Sequence, residues 1–364
     1  MRRLIIAALA ILLPFASFAQ PRDRNDWEAY YQAGIDRLGA SDPSAAQELF
    51  DKASHLSPDR AEPLYGLWIA FWARNMDDFT RAIRDDQDVA HDPKVIHADS
   101  LRMRAVRRNP FVHQGPLMFL YDRLPGRWRD DPVTRAWIAL GQANLPLAIT
   151  LFGQEVNRDP ARYGYLRFVR ASAFVNSGQP DSAAAELATL LAQLRASDNR
   201  TLGNGYQSKE LLEYASGLLQ LQARHAAAAR AAFQRSVVEN AGFAPAHAML
   251  GEMAAARHDT ATAFLEFGSA SELDPEDVEI QIGYGKALRG GDHAKEAIVH
   301  FRKAVALEPQ YATPYFWLAA TLDEAGDRTG AIDAFAQYIA HASLTDAHRA
   351  EAEMRVKQLQ GGQQ

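Results

Sequence analysis

The 364-residue chain contains no cysteine. That excludes disulfides, thiolate metal sites, cysteine nucleophiles and iron–sulfur clusters. It also has no excess of positive charge: 39 basic against 45 acidic residues give a formal charge of −6. A protein that holds nucleic acid needs many Lys and Arg facing phosphate, so that class is disfavoured. No run beyond residue 19 is apolar enough to span a bilayer. Catalytic signatures are missing too: there is no HExxH, no GxSxG elbow and no Walker loop. What remains is 48% hydrophobic and 23% charged residues, the composition of a folded protein rather than a disordered one.

The first 19 residues read as an export signal. Arg2 and Arg3 form a positive start, Leu4–Phe15 an apolar stretch, and Ser17-Phe18-Ala19 places small residues at the −3 and −1 positions of a cleavage site. Cleavage would leave Gln20 first and take the charge from −6 to −8. The expectation is an exported, periplasmic or extracellular protein, stable through packing alone.

The remainder repeats itself. Phe233, Phe267, Phe301 and Phe335 stand 34 residues apart. Ala229, Ala263, Ala297 and Ala331 precede them by four residues, and Ser236, Ala270, Ala304 and Tyr338 follow by three. Gly217, Gly251 and Gly285 keep the period, with Ala319 in the fourth place, and Pro275 and Pro309 close two units. A unit of 34 residues accommodates two helices of roughly 12–14 residues and two turns. The apolar positions follow helical 3–4 spacing. The small residues admit close approach of the two helices, the Phe fills the gap between them, and the Pro ends the second helix.

This pattern resembles the tetratricopeptide repeat (TPR) family, in its exported bacterial form. The same phase recurs at Gly34, Ala46, Phe50, Ala53 and Pro58, at Ala148, Phe152 and Pro160, and at Ala171, Phe174, Ala183 and Leu187. The fold class expected is all-α, a right-handed solenoid of about seven stacked antiparallel helix pairs. Residues 27–94 hold N-terminal units, the second degenerate; 95–128 are an irregular insert; 129–345 hold further units, with a long exposed turn over 198–209. Residues 346–364 supply a capping helix and tail.

The resemblance implies that the first helix of each pair lines a concave groove. Read in register, that face carries Tyr31, Gln32 and Ile35, then Tyr65, Ile69 and Trp72, and in the Gly164 unit Phe168, Ser172 and Asn176. It continues with Tyr214, Leu218 and Gln222, then Met249 and Glu252, Ile282, Lys286 and Arg289, and finally Phe316, Trp317 and Asp323. Aromatic side chains and Met are enriched at protein interfaces. The groove expected is therefore a binding site for an extended or helical peptide of an envelope partner, with Tyr31, Tyr65, Trp72, Phe168, Tyr214, Met249, Lys286, Arg289, Phe316 and Trp317 as contact residues. The Lys and Asn set by which some family members grip a C-terminal carboxylate is not present in three successive units.

Other features have simpler structural readings. His91, His97 and His113 beside Asp92 and Asp99 match no metal spacing and read as loop residues. Asp85-Asp86 and Asp130-Asp131 read as solvated turn carboxylates, and Gly290-Gly291 as a helix–helix turn. Arg102, Arg104, Arg107 and Arg108 read as a solvated face, with an acidic partner as the alternative. The sequence thus predicts a non-enzymatic scaffold or assembly factor with no cofactor and no metal. The alternatives are an enzyme subunit or metal site in 95–128, or a solenoid that binds polysaccharide through its aromatic face.

Overall fold

The computed structural model describes residues 23–84, 93–111, 130–196 and 208–361, and side chains outside 76–99. The predicted signal segment, Asp85-Asp86, His91, Asp92, residues 112–128 of the predicted insert with His113, and most of the predicted 198–209 turn lie outside the described residues, as do the side chains of His97 and Asp99.

Eighteen helices are present among the described residues. The first pair is α1 (Trp27–Gly39) with α2 (Pro43–Leu56), and the second is α3 (Glu62–Arg84) with α4 (Pro93–Arg108). The middle of the chain holds α5 (Pro132–Gly141) with α6 (Leu145–Arg158), the single turn α7 (Pro160–Tyr163), and α8 (Leu166–Asn176) with α9 (Pro180–Ala196). Four regular pairs follow: α10 (Lys209–Gln222) with α11 (Ala226–Glu239), α12 (Ala244–Ala255) with α13 (Thr260–Leu273), α14 (Val278–Gly290) with α15 (Ala294–Leu307), and α16 (Thr313–Glu324) with α17 (Arg328–His341). α18 (Arg349–Gly361) covers the last pair. Within each pair the two helices pack on each other, and from α8 to α18 each helix also packs on the next, so the fold is an all-α solenoid of paired helices.

Local chemistry sets the helix starts. Asp26, Asp42, Asp131, Asn144, Asp259, Asp277 and Asp327 each accept a backbone N–H from the first turn they precede. Asp131 is exposed, as its reading as a solvated carboxylate expects, and is also a cap. The predicted close approach within each pair is present. Phe50, Phe233 and Phe301 are fully enclosed, and a Cβ added at Gly251 or Gly285 would come within 2.7 and 2.6 Å of the Phe267 and Phe301 rings.

Part of the predicted irregular stretch is regular. Residues 93–108 form α4, paired with the long α3. Pro93 suits a helix start, and Leu101, Ala105 and Val106 put an apolar stripe into the core. The 34-residue pattern is lost there while helical spacing survives.

The array also returns on itself. One hydrophobic cluster joins Leu38, Phe50, Leu64, Tyr65, Ala105 and Val106 to Leu211, Tyr214, Phe233, Phe243 and Leu250. Farther along, the contacts are polar. His55 Nδ1 lies 2.8 Å from Glu308 Oε2, and Lys52 reaches Gln310. Asn25 Nδ2 donates to the carbonyls of Ala340 and Ala342 at 2.9 and 3.3 Å. Those carbonyls belong to the end of α17, where a helix leaves acceptors unsatisfied.

Candidate functional site

The first-helix face is the candidate site, and the structure divides it. Four of its predicted contact residues belong to the core: Tyr65 is 3% exposed, Phe168 8%, Tyr214 5% and Phe316 8%. Their burial corrects the expectation of an open aromatic groove, and each has an identifiable cover. Tyr65 meets Trp68 edge-on at 6.4 Å within the merged N-terminal core. Phe316 is enclosed by Phe335, Tyr338 and His348, with ring centroids at 6.1, 5.3 and 4.7 Å. Phe168 and Tyr214 are covered by residues 107–111 of the same chain. The Phe111 ring stacks on Phe168 at 6.3 Å, and Tyr214 Oη donates to the Arg107 carbonyl at 3.1 Å.

Ser172 and Asn176, neighbours of Phe168 on that face, hold the same segment. Asn176 Nδ2 donates to the Phe111 carbonyl at 3.0 Å and Ser172 Oγ at 3.4 Å. Two further predicted residues lean on the core. Tyr31 packs 5.6 Å from the Phe50 ring, and burial, with Glu62 nearby, pushes its hydroxyl up to about 12. Met249 packs against the same cluster. Trp72 is half-buried beside Phe71.

An accessible strip runs across α12, α14 and α16. Glu252, Lys286 and Glu324 are exposed, and Trp317 and Arg289 are half-buried. The Trp317 ring is flanked by two cations, with Lys286 Nζ 5.0 Å and the Arg289 guanidinium 5.5 Å from its centroid. Arg289 is itself fixed by Glu324, with Nε 2.8 Å from Oε2 and a second bond from Nη2 to Oε1. These bonds lower the Glu324 carboxyl and raise the Arg289 guanidinium. Asp323 is held by Arg355 of α18 at 2.6 and 2.9 Å. The strip is a positioned aromatic ring inside a charge-balanced frame.

The arginine run is solvated in part, with Arg104 and Arg107 exposed, while Arg107 and Arg108 meet acidic groups within the chain. Arg108 Nη2 lies 2.8 Å from Asp277 Oδ2, and Arg107 Nη1 3.5 Å from Asp274 Oδ2. Burial works against the charge on Arg108, and Asp277 outweighs it. Arg102 lies over Trp68 at 5.5 Å. Arg104 and Arg107, with Pro58, Asp274, Glu276 and Glu308, line a cavity of about 440 Å³ at this joint. Asp277 and Asp59 lie beside Glu279, whose carboxyl is raised to about 7 by burial and by these two neighbours, against the pull of Arg108. Sequence reading did not single out Glu279 or the joint, because the residues that build it come from distant units.

Among the described residues, no three His, Asp or Glu side chains come together in a way that could hold a metal ion, and no helix is long and apolar enough to cross a membrane. No family model and no curated protein matches the chain. Similar solved structures include the C-terminal part of a TPR repeat-containing protein from Cytophaga hutchinsonii, at 16% identity over 57% of this chain and 78% of that one, with a TM-score of 0.45. YrrB, described as a TPR protein with an unusual peptide-binding site, has 17% identity over 56% of this chain and 97% of its own, with a TM-score of 0.43. The APC/C hetero-tetramer Cut9–Hcn1 has 14% identity over 92% of this chain and 76% of that one, with a TM-score of 0.48. These likenesses concern the fold. The resemblance to tetratricopeptide repeats rests on the 34-residue register and on the helix pairs that occupy it.

Proposed function

We propose that the chain is a non-enzymatic interaction scaffold of the bacterial cell envelope, and that it takes a polypeptide segment of a partner on its first-helix face. One observation carries the reading. Ser172, Asn176 and Tyr214, from two successive first helices, already bond to backbone carbonyls of a polypeptide segment laid across them. Backbone carbonyls are common to all polypeptides, so donors placed this way recognise chain and leave specificity to adjoining pockets. The accessible Trp317 strip extends the same face. Its ring is held by flanking cations, so little side-chain freedom is lost on contact.

The envelope location is supported by the basic, apolar and small-residue succession over Met1–Ala19. N-terminal sequencing of the protein recovered from a cell-envelope fraction should begin at Gln20; a cytoplasmic protein that retains Met1–Ala19 would overturn that part. For the binding role, in-cell crosslinking followed by mass spectrometry should capture a defined partner from wild type and lose most of it in Trp317→Ala, with helicity unchanged. Full retention of every captured partner by a folded Trp317→Ala protein would contradict the groove assignment.

A further inference from the structure

Residues 107–111, Arg-Arg-Asn-Pro-Phe, comprise the end of α4 and the turn that follows. A connection that only joined two helices would run over the surface with its backbone in water. This one is built into the groove. Phe111 is 6% exposed, belongs to the core cluster around Leu187, Leu190 and Leu212, and stacks on Phe168 with 23° between the rings. Pro110 is buried beside it. Asn109 Oδ1 accepts the Phe111 N–H at 2.9 Å, which sets the turn. Donors from α8 and α10 satisfy the carbonyls at both ends, and the two arginines reach Asp274 and Asp277. The segment comes from the stretch of sequence that departs furthest from the repeat.

We infer that residues 107–111 are an intrinsic ligand of the groove between α8 and α10. The partner segment that competes for this groove shares their chemistry: a basic pair, a turn-forming polar residue and proline, then an aromatic ring. The ring fills the Phe168 pocket, Asn176 and Tyr214 hold the backbone, and Asp274 and Asp277 receive the basic pair. A tethered ligand competes at a millimolar-range effective concentration, so it weakens every free peptide for the same site. The inference rests on the peptide-groove reading, and its test measures one defined peptide rather than any cellular partner, so the two can fail separately.

The probe is a fluorescein-labelled peptide of residues 104–111, titrated into the full chain by fluorescence anisotropy. Phe111→Ala should bind it at least tenfold more tightly than wild type, and Phe111→Ala with Phe168→Ala should lose that binding. No saturable binding to the folded Phe111→Ala chain, or equal affinity for wild type and variant, overturns the inference. Should Phe111→Ala lose its helicity, wild type decides. A peptide with benzoylphenylalanine in place of its phenylalanine, added in large excess and irradiated, should crosslink to α8, α9 or α10. Crosslinks confined to other helices, or none, overturn it.

Discussion

A phenylalanine sits at the centre of each regular pair, and its surroundings explain which residues repeat. Phe301 is fully enclosed between α14 and α15, with Ala297 and Ala304 on its own helix and Gly285 facing its ring. Phe301→Ala should cost about 3–5 kcal/mol of stability, because the cavity it leaves cannot collapse between two backbones held this close. Gly251→Ala should cost roughly 1–3 kcal/mol by overpacking against Phe267. Urea titrations check both, and a loss below about 0.5 kcal/mol in either would mean that the pair relaxes where it is described as rigid. These residues were legible in the sequence because each answers to a contact inside its own pair. The turn between the two helices was not. The left-handed position falls on Arg224, His258, Asp292 and Gly326, again 34 residues apart, while Gly290 and Gly291 precede it. Three different side chains tolerate that backbone, so composition gives no sign of it. Arg224→Gly should stabilise the chain by roughly 0.5–1 kcal/mol, since a left-handed conformation costs a residue with a Cβ more than it costs glycine. An unchanged or lowered melting temperature would contradict this.

At the scale of elements, helices are joined by carboxylates shared between neighbours. Glu186 on α9 takes Arg167 and Arg170 of α8 at 2.8 and 2.7 Å. Glu213 on α10 takes Arg195 of α9 at 3.0 Å and Arg235 of α11 at 2.8 Å. Glu279, in the first turn of α14, has a different role because its surroundings favour the neutral acid. Its folded-state value of about 7 stands above the ordinary 4.5, so the folded chain binds a proton that the unfolded chain releases. Stability contributed by this group is present below about pH 4.5 and is lost as pH rises through 7. His300 and His341 act in the opposite sense, since burial lowers both and their contribution is lost as pH falls below 6.5. The clean observable is the difference between wild type and Glu279→Gln. The variant should gain on the order of 1–3 kcal/mol relative to wild type between pH 5 and pH 8. Parallel stability–pH curves would show that Glu279 is ionised without penalty. α4 teaches the related lesson for sequence reading. Its Leu101, Ala105 and Val106 keep helical spacing where the 34-residue landmarks vanish, so a search for landmarks passes over a regular helix.

For the whole molecule, the defining feature is closure, made in two unlike ways. Near α10 to α12 the N-terminal pairs share an apolar core with the array. Near α15 to α18 the link runs through Asp23, Asn25, Lys52 and His55 with their polar partners, and among the described residues the core there contains no residue from the N-terminal pairs. Partly exposed polar links contribute up to about 1 kcal/mol each, so that rim is the weaker one. The absence of cysteine allows a direct test with spin labels at Glu48→Cys on α2 and Lys303→Cys on α15. A single narrow distance distribution is expected, broadened towards longer distances when Lys52→Glu and His55→Glu are added. A distribution unmoved by those charge changes would show that the rim is held by something else. None of this closure was legible in sequence: the polar rim joins residues some 250–320 positions apart through single pairs, and the apolar part joins Leu38, Phe50 and Tyr65 to Leu211 and Tyr214 of a distant unit. For the same reason the face of first helices was found while its accessibility was misjudged. Register located Phe168, Ser172, Asn176 and Tyr214 on one surface, but the segment that covers them comes from outside the register.

The first-helix face as the surface that meets a partner is the central claim, and position-resolved crosslinking in cells tests it most directly. A photoreactive residue would replace Trp317 on the accessible strip or Leu265, which is 68% exposed on the second helix of the α12–α13 pair. A discrete partner should be captured from position 317 and not from 265. Capture from 265 alone, or none from 317 in a folded protein recovered from the envelope, would contradict the account.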